Sequence, residues 1–164
     1  MRSFIVFILL VSTPVYTIKA HELKAKKIRK YELLVKEALK YVGTPYNLGG
    51  TTPKGFDCSG YVSYVFRKFD IQLPRISQDQ GNAGKRVPLR KAKKGDLIFF
   101  KGSNLRDRKI GHVGIVISDK GKPVEFVHAS TSRGVVVSKL STEYYKKRFK
   151  RVRCFKELNK KIKR

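Results

Sequence analysis

The chain reads Asp57-Cys58-Ser59-Gly60-Tyr61-Val62-Ser63-Tyr64-Val65-Phe66 in its first half, which predicts a helix with a cysteine in its first turn. Asp57 is a favourable N-cap, and apolar residues fall on one face of this helix at Tyr61, Val62, Val65, Phe66 and Phe69. The N–H groups and dipole of a helix N-terminus stabilise a thiolate, so we expect a lowered pKa for the Cys58 thiol. Cys154 lacks such a setting, and we interpret it as a buried structural cysteine.

Helical patterns surround this segment, and strand patterns follow it. Apolar spacing predicts a helix over 22–42, with Leu23, Ile28, Tyr31, Leu34, Val35, Ala38, Leu39 and Val42 on its buried face. Gly43-Thr44-Pro45 ends it, and a loop rich in glycine and threonine covers 46–56 before a short helix at 76–82. Strands are predicted at 96–100, 112–118, 124–129, 135–139 and 151–155, with helical turns at 141–147. Helices followed by strands indicate an α+β fold, with N-terminal helices packed on an antiparallel sheet.

Two histidines lie in neighbouring predicted strands, in Gly111-His112-Val113-Gly114-Ile115 and Phe126-Val127-His128-Ala129-Ser130. A three-residue loop, Asp119-Lys120-Gly121 with Gly121 left-handed, places Ser118 opposite Lys122 and His112 directly opposite His128, with Cβ atoms about 5 Å apart. A two-residue loop instead turns the two rings to opposite faces. In the first register the pair suits a general base and its orienting partner beside Cys58. A metal site is the alternative, although no third ligand is evident nearby.

The chain is strongly basic. Its 164 residues include 38 Lys or Arg against 12 Asp or Glu, a net charge of +26, and this length suits one domain. The presence of only two cysteines excludes a zinc ribbon and a disulfide scaffold. Basic runs at 24–30, 146–153 and 160–164 are compatible with attraction to anionic polymers or a membrane surface, and equally with an ordinary solvated surface.

Residues 1–20 have the pattern of a secretory signal peptide. Arg2 precedes an apolar run over 4–11, Ser12-Thr13-Pro14 interrupts it, and Ala20 suits the cleavage site. The run is much shorter than the roughly 20 residues that cross a bilayer. We therefore predict a signal peptide over 1–20, one domain over 21–156 and a basic tail over 157–164, with export to the periplasm, the cell wall or the medium. Export argues against nucleic acid as a partner.

Six motifs in order along the chain resemble those of the NlpC/P60 family of cysteine peptidases. They are Gly43-Thr44-Pro45-Tyr46 with Gly49-Gly50, Phe56-Asp57-Cys58-Ser59-Gly60, Leu73-Pro74-Arg75-Ile76-Ser77 with Gln80, Gly95-Asp96-Leu97-Ile98-Phe99-Phe100, and the two histidine motifs. The resemblance covers about 34–155. It implies a papain-like α+β domain that hydrolyses amide bonds in the stem peptides of bacterial peptidoglycan.

The resemblance also implies a role for each matching residue. Cys58 is the expected nucleophile, His112 the general base, and His128 the residue that orients it. Tyr46 helps to form the oxyanion hole, while the substrate cleft is lined by Asp57, Ser59 and Arg75. Arg75 either pairs with a stem carboxylate or is a plain surface arginine.

No metal ion and no organic cofactor are implied, and the expected partner is peptidoglycan. The bond cut is either D-Glu–diaminopimelate or the cross-link to D-Ala. Two alternatives stay open: an amidase or acyltransferase of the same superfamily, and a non-catalytic cationic module that binds the envelope.

Overall fold

The computed structural model describes residues 14–106 and 108–155. The described helices are α1 (Pro14–Leu39), α2 (Cys58–Arg67), α3 (Ser77–Asn82) and α4 (Glu143–Arg148), with a 3-10 turn at Leu89–Lys91. The strands are β1 (Thr51–Thr52), β2 (Gly55–Phe56), β3 (Lys85–Val87), β4 (Leu97–Lys101), β5 (Ile110–Val116), β6 (Glu125–Ser130), β7 (Gly134–Lys139) and β8 (Phe149–Cys154). The predicted α+β order is confirmed.

The first predicted helix forms with different bounds. α1 begins at Pro14 and ends at Leu39, after which the chain continues in tight turns such as Val42 N–H to the Leu39 carbonyl oxygen. Among the α1 side chains that the structure describes, Tyr31, Leu34, Val35 and Ala38 are buried, whereas those of Leu23 and Ile28 lie outside the description. Leu39 and Val42 are exposed, so their assignment to the core was wrong. None of the described helices combines the length and the apolar composition needed to span a bilayer.

The bounds of the predicted domain organisation fall partly outside the described residues. Residues 1–13 of the predicted signal peptide and the basic tail lie outside them, whereas 14–20 form the first turns of α1. The helix predicted to start at Asp57 is confirmed as α2, but α2 ends at Arg67, so Phe69 lies beyond it. The short helix predicted at 76–82 is confirmed as α3.

A six-stranded antiparallel sheet separates two apolar layers, with strand order β3-β8-β4-β5-β6-β7. Alternation along β4 sends Leu97 and Phe99 into the larger layer, beneath α1 and α2. Ile98 and Phe100 enter the smaller layer, beneath Tyr145 of α4. The sheet is therefore buried on both faces, which explains the unbroken apolar run of β4.

Three short strands were not predicted. β1 and β2 form a two-stranded hairpin within the loop predicted over 46–56, and β3 pairs with β8 at the edge of the main sheet. β3 reads Lys-Arg-Val and shows no apolar alternation. A short strand such as β3 is stabilised by pairing with a strand distant in sequence, so the local sequence pattern does not predict it.

The connection between β5 and β6 corrects the predicted register. Ile115 pairs with Val127 and Val116 with Phe126, a shift of two residues from the predicted pairing, so His112 and His128 are not directly opposite. Ile117 donates its N–H to the Glu125 carbonyl oxygen; in the predicted register its partner is Pro123, which has no N–H to return. Because the shift is even, both histidines stay on one face. Gly121 is left-handed, as predicted, with φ of +82°.

Candidate active site

Cys58 is the first residue of α2, and Asp57 caps the helix as predicted. The Asp57 carboxylate oxygen Oδ1 accepts a hydrogen bond from the Gly60 N–H at 2.6 Å. The loop before the helix packs directly on this turn, since a Cβ at Gly60 would lie 2.1 Å from the carbonyl oxygen of Gly50. The glycines of these two motifs therefore permit a close approach that fixes the loop beside Cys58.

The Cys58 sulfur lies where β5 and β6 separate. The described pairing of these strands ends at Ile115–Val127, on the side nearer the histidines. Along a strand, every second N–H points to the same side. The N–H of Val113 therefore points toward β6, like the N–H of Ile117, which donates to Glu125 of that strand. The Val113 N–H is directed instead at the Cys58 sulfur. Because Val113 follows His112, this contact brings the start of β5 to the thiol.

Burial raises the pKa of the Cys58 thiol to about 11, contrary to the expectation from the helix N-terminus. The negative charge of Asp57 raises it further, while hydrogen bonds from the backbone of Val113, Ser59 and Cys58 itself lower it without outweighing burial. Cys58 is therefore a neutral thiol at neutral pH. It needs a base to become a nucleophile.

The two histidines contact each other through their ring nitrogens. Nε2 of His112 lies 2.8 Å from Nδ1 of His128, and the rings are nearly perpendicular, with an interplanar angle of 87°. Gly114 makes this diagonal contact feasible, because a Cβ there would lie 3.1 Å from the Cβ of His128 and 2.8 Å from the ring of Phe126. The expected pairing of base and orienting residue on one face is thus present, although the predicted register was wrong.

The second nitrogen of His128 has two hydroxyl partners that the sequence analysis missed. Nε2 lies 3.0 Å from the hydroxyl oxygen of Tyr145 and 3.1 Å from Oγ of Ser138. Tyr145 is buried against Phe100 and Phe126. The helical pattern at 141–147 identified its element, but no motif marks either residue.

Both imidazoles are neutral at physiological pH. Burial lowers the pKa of His112 to about 4. Burial also lowers the pKa of His128, and the charges of His112 and Arg133 act in the same direction. A neutral His112 can accept a proton, which is the state a general base requires.

Tyr46 lies at the same site, on the loop that precedes α2. It forms an isolated bridge with Phe56 and packs against the larger core layer. Burial raises the pKa of its hydroxyl, and the charges of Cys58 and Asp57 raise it further. The phenol therefore stays protonated and can donate a hydrogen bond near Cys58.

Asp57, Ser59 and Arg75 form one hydrogen-bonded group. The Arg75 guanidinium pairs with the Asp57 carboxylate, and its Nη1 also donates to Oγ of Ser59 at 3.1 Å. Arg75 and the Gly60 N–H hold the pKa of Asp57 below its ordinary value although burial acts in the opposite direction. Arg75 is thus more than a plain surface arginine, because it is ion-paired with Asp57, and its contact with a stem carboxylate stays a prediction.

Gln80 connects this group to the rest of the fold. It is fully buried, and its Nε2 lies 2.8 Å from the Pro74 carbonyl oxygen and 3.2 Å from that of Ser59. Pro74 precedes Arg75, so Gln80 fixes the segment that carries the guanidinium against the start of α2. These contacts give Gln80, which belongs to one of the six motifs, a structural role.

Cys154 and the basic run 146–153 are in part structural. Cys154 is buried, as predicted, and its thiol hydrogen-bonds the buried Asp96 carboxyl group. Nε of Arg153 donates to the Gly81 carbonyl oxygen at 2.8 Å, and Arg151 contacts the same oxygen. These two arginines join β8 to α3, so the run is more than a solvated surface.

Comparison with known proteins assigns this site to a family. The model of the NlpC/P60 family matches residues 43–154. The chain is 44% identical over 113 residues to the murein DD-endopeptidase MepS/murein LD-carboxypeptidase of Escherichia coli, covering 68% of this chain and 55% of that protein. It is 41% identical over 122 residues to a probable endopeptidase of Haemophilus influenzae, covering 74% of this chain and 72% of that protein.

A solved structure supports the same assignment. The NLP/P60-family protein similar to a lipoprotein from Staphylococcus aureus superposes with a TM-score of 0.66 at 35% identity, over 77% of this chain and 41% of that one. The chain spans about half the length of the Escherichia coli relative. The matched region contains α2, the sheet and all the candidate residues from Tyr46 to His128. The chain belongs to the NlpC/P60 family.

Proposed function

We propose that this chain is a thiol-dependent endopeptidase that hydrolyses amide bonds in peptidoglycan stem peptides. The observation that carries the proposal is the hydrogen-bonded His112–His128 pair beside the thiol. The pair is placed there by Val113, the residue after His112, whose N–H contacts the Cys58 sulfur. The Escherichia coli and Haemophilus influenzae relatives are named as endopeptidases, the former acting on murein. The signal-peptide pattern of 1–20 supports work outside the cytoplasmic membrane, in the periplasm or cell wall.

His112 removes the proton from Cys58 in the first step. Its Nε2 is hydrogen-bonded to His128, which leaves Nδ1 as the ring nitrogen available to accept the thiol proton. For Nδ1 to carry a lone pair, Nε2 must carry the proton and donate it to Nδ1 of His128. His128 then carries its own proton on Nε2 and donates it to Tyr145 or Ser138. The two hydroxyls can accept this proton, so they are compatible with the tautomer in which His112 is a base.

The thiolate formed in this way attacks the carbonyl carbon of the amide. The tetrahedral oxyanion is held by the backbone N–H of Cys58 and the hydroxyl of Tyr46. Protonated His112 gives its proton to the leaving amine, and a thioester to Cys58 remains. His112 next deprotonates a water molecule, which hydrolyses the thioester and restores the thiol.

Digestion of purified peptidoglycan tests the proposal. Endopeptidase activity releases fragments whose new termini lie within the stem peptide, at D-Glu–diaminopimelate or at the cross-link to D-Ala, and mass spectrometry identifies them. An amidase instead releases intact stem peptides from the glycan, and an acyltransferase leaves products that retain the acyl group on a new amine. Binding without any released fragment indicates the non-catalytic module.

A further inference from the structure

A hollow of about 310 Å³ lies beside the two histidines, and none of Asp57, Ser59 and Arg75 belongs to its described lining. His112 and His128 form part of its wall, and the rest comes from the end of β4, the turn after β6, and α4. Two cations line it, Lys101 and Arg148, and its described lining contains no Asp or Glu.

The two cations lack a carboxylate partner among the described residues. Nζ of Lys101 donates to the Leu105 carbonyl oxygen at 2.7 Å. Arg148 donates to the Tyr144 carbonyl oxygen at 3.3 Å, and its guanidinium stacks 3.8 Å above the Tyr144 ring. Each contact uses part of the hydrogen-bonding capacity and leaves the positive charge unbalanced.

A second hollow continues from the first and extends the positive field. The two share Ser130, Thr131, Tyr144 and Tyr145, and the second adds Arg133 as well as Lys139, which is ion-paired with Glu125 at 3.8 Å. Arg133 is close enough for its charge to act on the imidazole of His128. By contrast, Arg75 lines neither hollow and is ion-paired with Asp57. Three cations without a carboxylate partner among the described residues, Lys101, Arg133 and Arg148, therefore lie around the histidine pair.

The chemistry of amide cleavage decides which part of a substrate occupies that side. His112 gives its proton to the departing nitrogen, so the residue that contains this nitrogen must lie against the His112 ring. In both candidate bonds, D-Glu–diaminopimelate and the cross-link to D-Ala, the departing nitrogen belongs to diaminopimelate. The carboxylate at the D-centre of diaminopimelate is free in both.

We propose that this hollow is the binding site for the leaving diaminopimelate residue and that Lys101 and Arg148 bind its free D-centre carboxylate. The inference rests on the proposed function and adds a substrate requirement to it. Stem peptides whose diaminopimelate carries a neutral carboxamide at the D-centre lack the negative charge that Lys101 and Arg148 bind, so we expect them to be poor substrates. Bound carboxylate also balances the positive field in which His112 must become protonated during the reaction.

The test uses the full chain and two cross-linked tetrapeptide dimers that differ only in the D-centre group, carboxylate or carboxamide. Wild-type protein is expected to cleave the carboxylate dimer with a kcat/KM at least about tenfold higher, as a charged hydrogen bond warrants. Lys101→Gln and Arg148→Gln are expected to lower kcat/KM for the carboxylate dimer and leave the carboxamide dimer nearly unchanged. Arg148→Lys restores part of the preference, and Lys85→Gln, on the distant edge strand β3, serves as the matched control.

The possible results separate this inference from the proposed function. Equal cleavage of the two dimers by wild-type protein overturns the inference and leaves the proposed function intact. Equal losses on both dimers in Lys101→Gln, whose side chain does not stack on α4, also overturn it, because they indicate a structural role. No cleavage of either dimer by wild-type protein, with peptidoglycan also left intact, overturns the proposed function.

Discussion

The His112 and His128 rings are joined by a 2.8 Å contact between Nε2 and Nδ1, although the two residues do not face each other in the sheet. The contact is diagonal and depends on the missing side chain of Gly114. It fixes which nitrogen of His112 is left for Cys58. The hydrogen-bonding state of His128 therefore determines whether His112 can serve as a base.

Removing one hydroxyl partner of His128 should have a small effect, and removing both a large one. Tyr145→Phe or Ser138→Ala leaves the other hydroxyl to accept the His128 Nε2 proton, so we expect kcat to fall by no more than about tenfold. The double variant leaves that proton without either hydroxyl, and we expect a loss well above the product of the single losses. Steady-state kinetics on a soluble stem peptide measures these effects.

A merely structural role for Tyr145 predicts a different outcome. In that case the double variant unfolds at lower temperature, and its loss of kcat equals the product of the two single losses. An unchanged KM with a lower kcat supports the positioning role, since the groups proposed to bind the substrate carboxylate are Lys101 and Arg148 and not these hydroxyls.

The pH profile of kcat/KM should be broad on its acidic side. Burial lowers the pKa of His112 to about 4, so the imidazole stays neutral, and able to accept a proton, at all pH values above that. Lowering the pH protonates it and removes the base. We expect near-full activity down to roughly pH 5, where an ordinary histidine would already be mostly protonated. An acidic midpoint near 6.5, with circular dichroism unchanged, contradicts this expectation.

Asp57→Asn should make the Cys58 thiol more reactive. The Asp57 charge raises the pKa of Cys58, whereas asparagine is an equally good helix cap without charge. We expect alkylation by iodoacetamide at pH 8 to accelerate about threefold or more, which corresponds to a pKa lowered by at least about half a unit. A Cys154→Ala background restricts labelling to Cys58, and Ser59→Ala is the neutral control. Unchanged or slower alkylation contradicts the electrostatic role of Asp57.

Salt should weaken binding to the wall more than it weakens cleavage. If the net charge of +26 attracts anionic wall polymers, raising the salt concentration from about 0.05 M to about 0.5 M screens that attraction strongly. Binding to insoluble wall material, measured by sedimentation, should then fall severalfold, while turnover of a small soluble stem peptide changes less. Equal salt dependence in the two assays rules out recruitment as the role of the charge.

The elements that were predictable have strong local signals. Asp57 followed by an apolar helical face identified α2 and its cap, and alternation identified β4 to β7 within a few residues. The predicted register of β5 and β6 was wrong because it pairs Ile117 with Pro123, which has no N–H to donate. An even shift preserved the shared face of the histidines despite the error.

The features that were not predictable depend on contacts distant in sequence. Tyr145 reaches His128 only after α4 packs on the sheet, and Arg75 meets Asp57 across 18 positions of the chain. The pKa of Cys58 was predicted in the wrong direction for the same reason. The helix N-terminus is a local feature, whereas the burial that outweighs it comes from the whole fold.

The nucleophile is tested most directly by comparing Cys58→Ala with Cys154→Ala in the release of soluble fragments from purified peptidoglycan. Both variants should keep the fold, shown by circular dichroism. Cys58→Ala should release no fragments above background, because Cys154, the other thiol among the described residues, is buried on β8 beside β3. Cys154→Ala should retain nearly full activity, since its thiol only hydrogen-bonds Asp96. Full activity in Cys58→Ala, or its loss in a folded Cys154→Ala, contradicts the proposed mechanism.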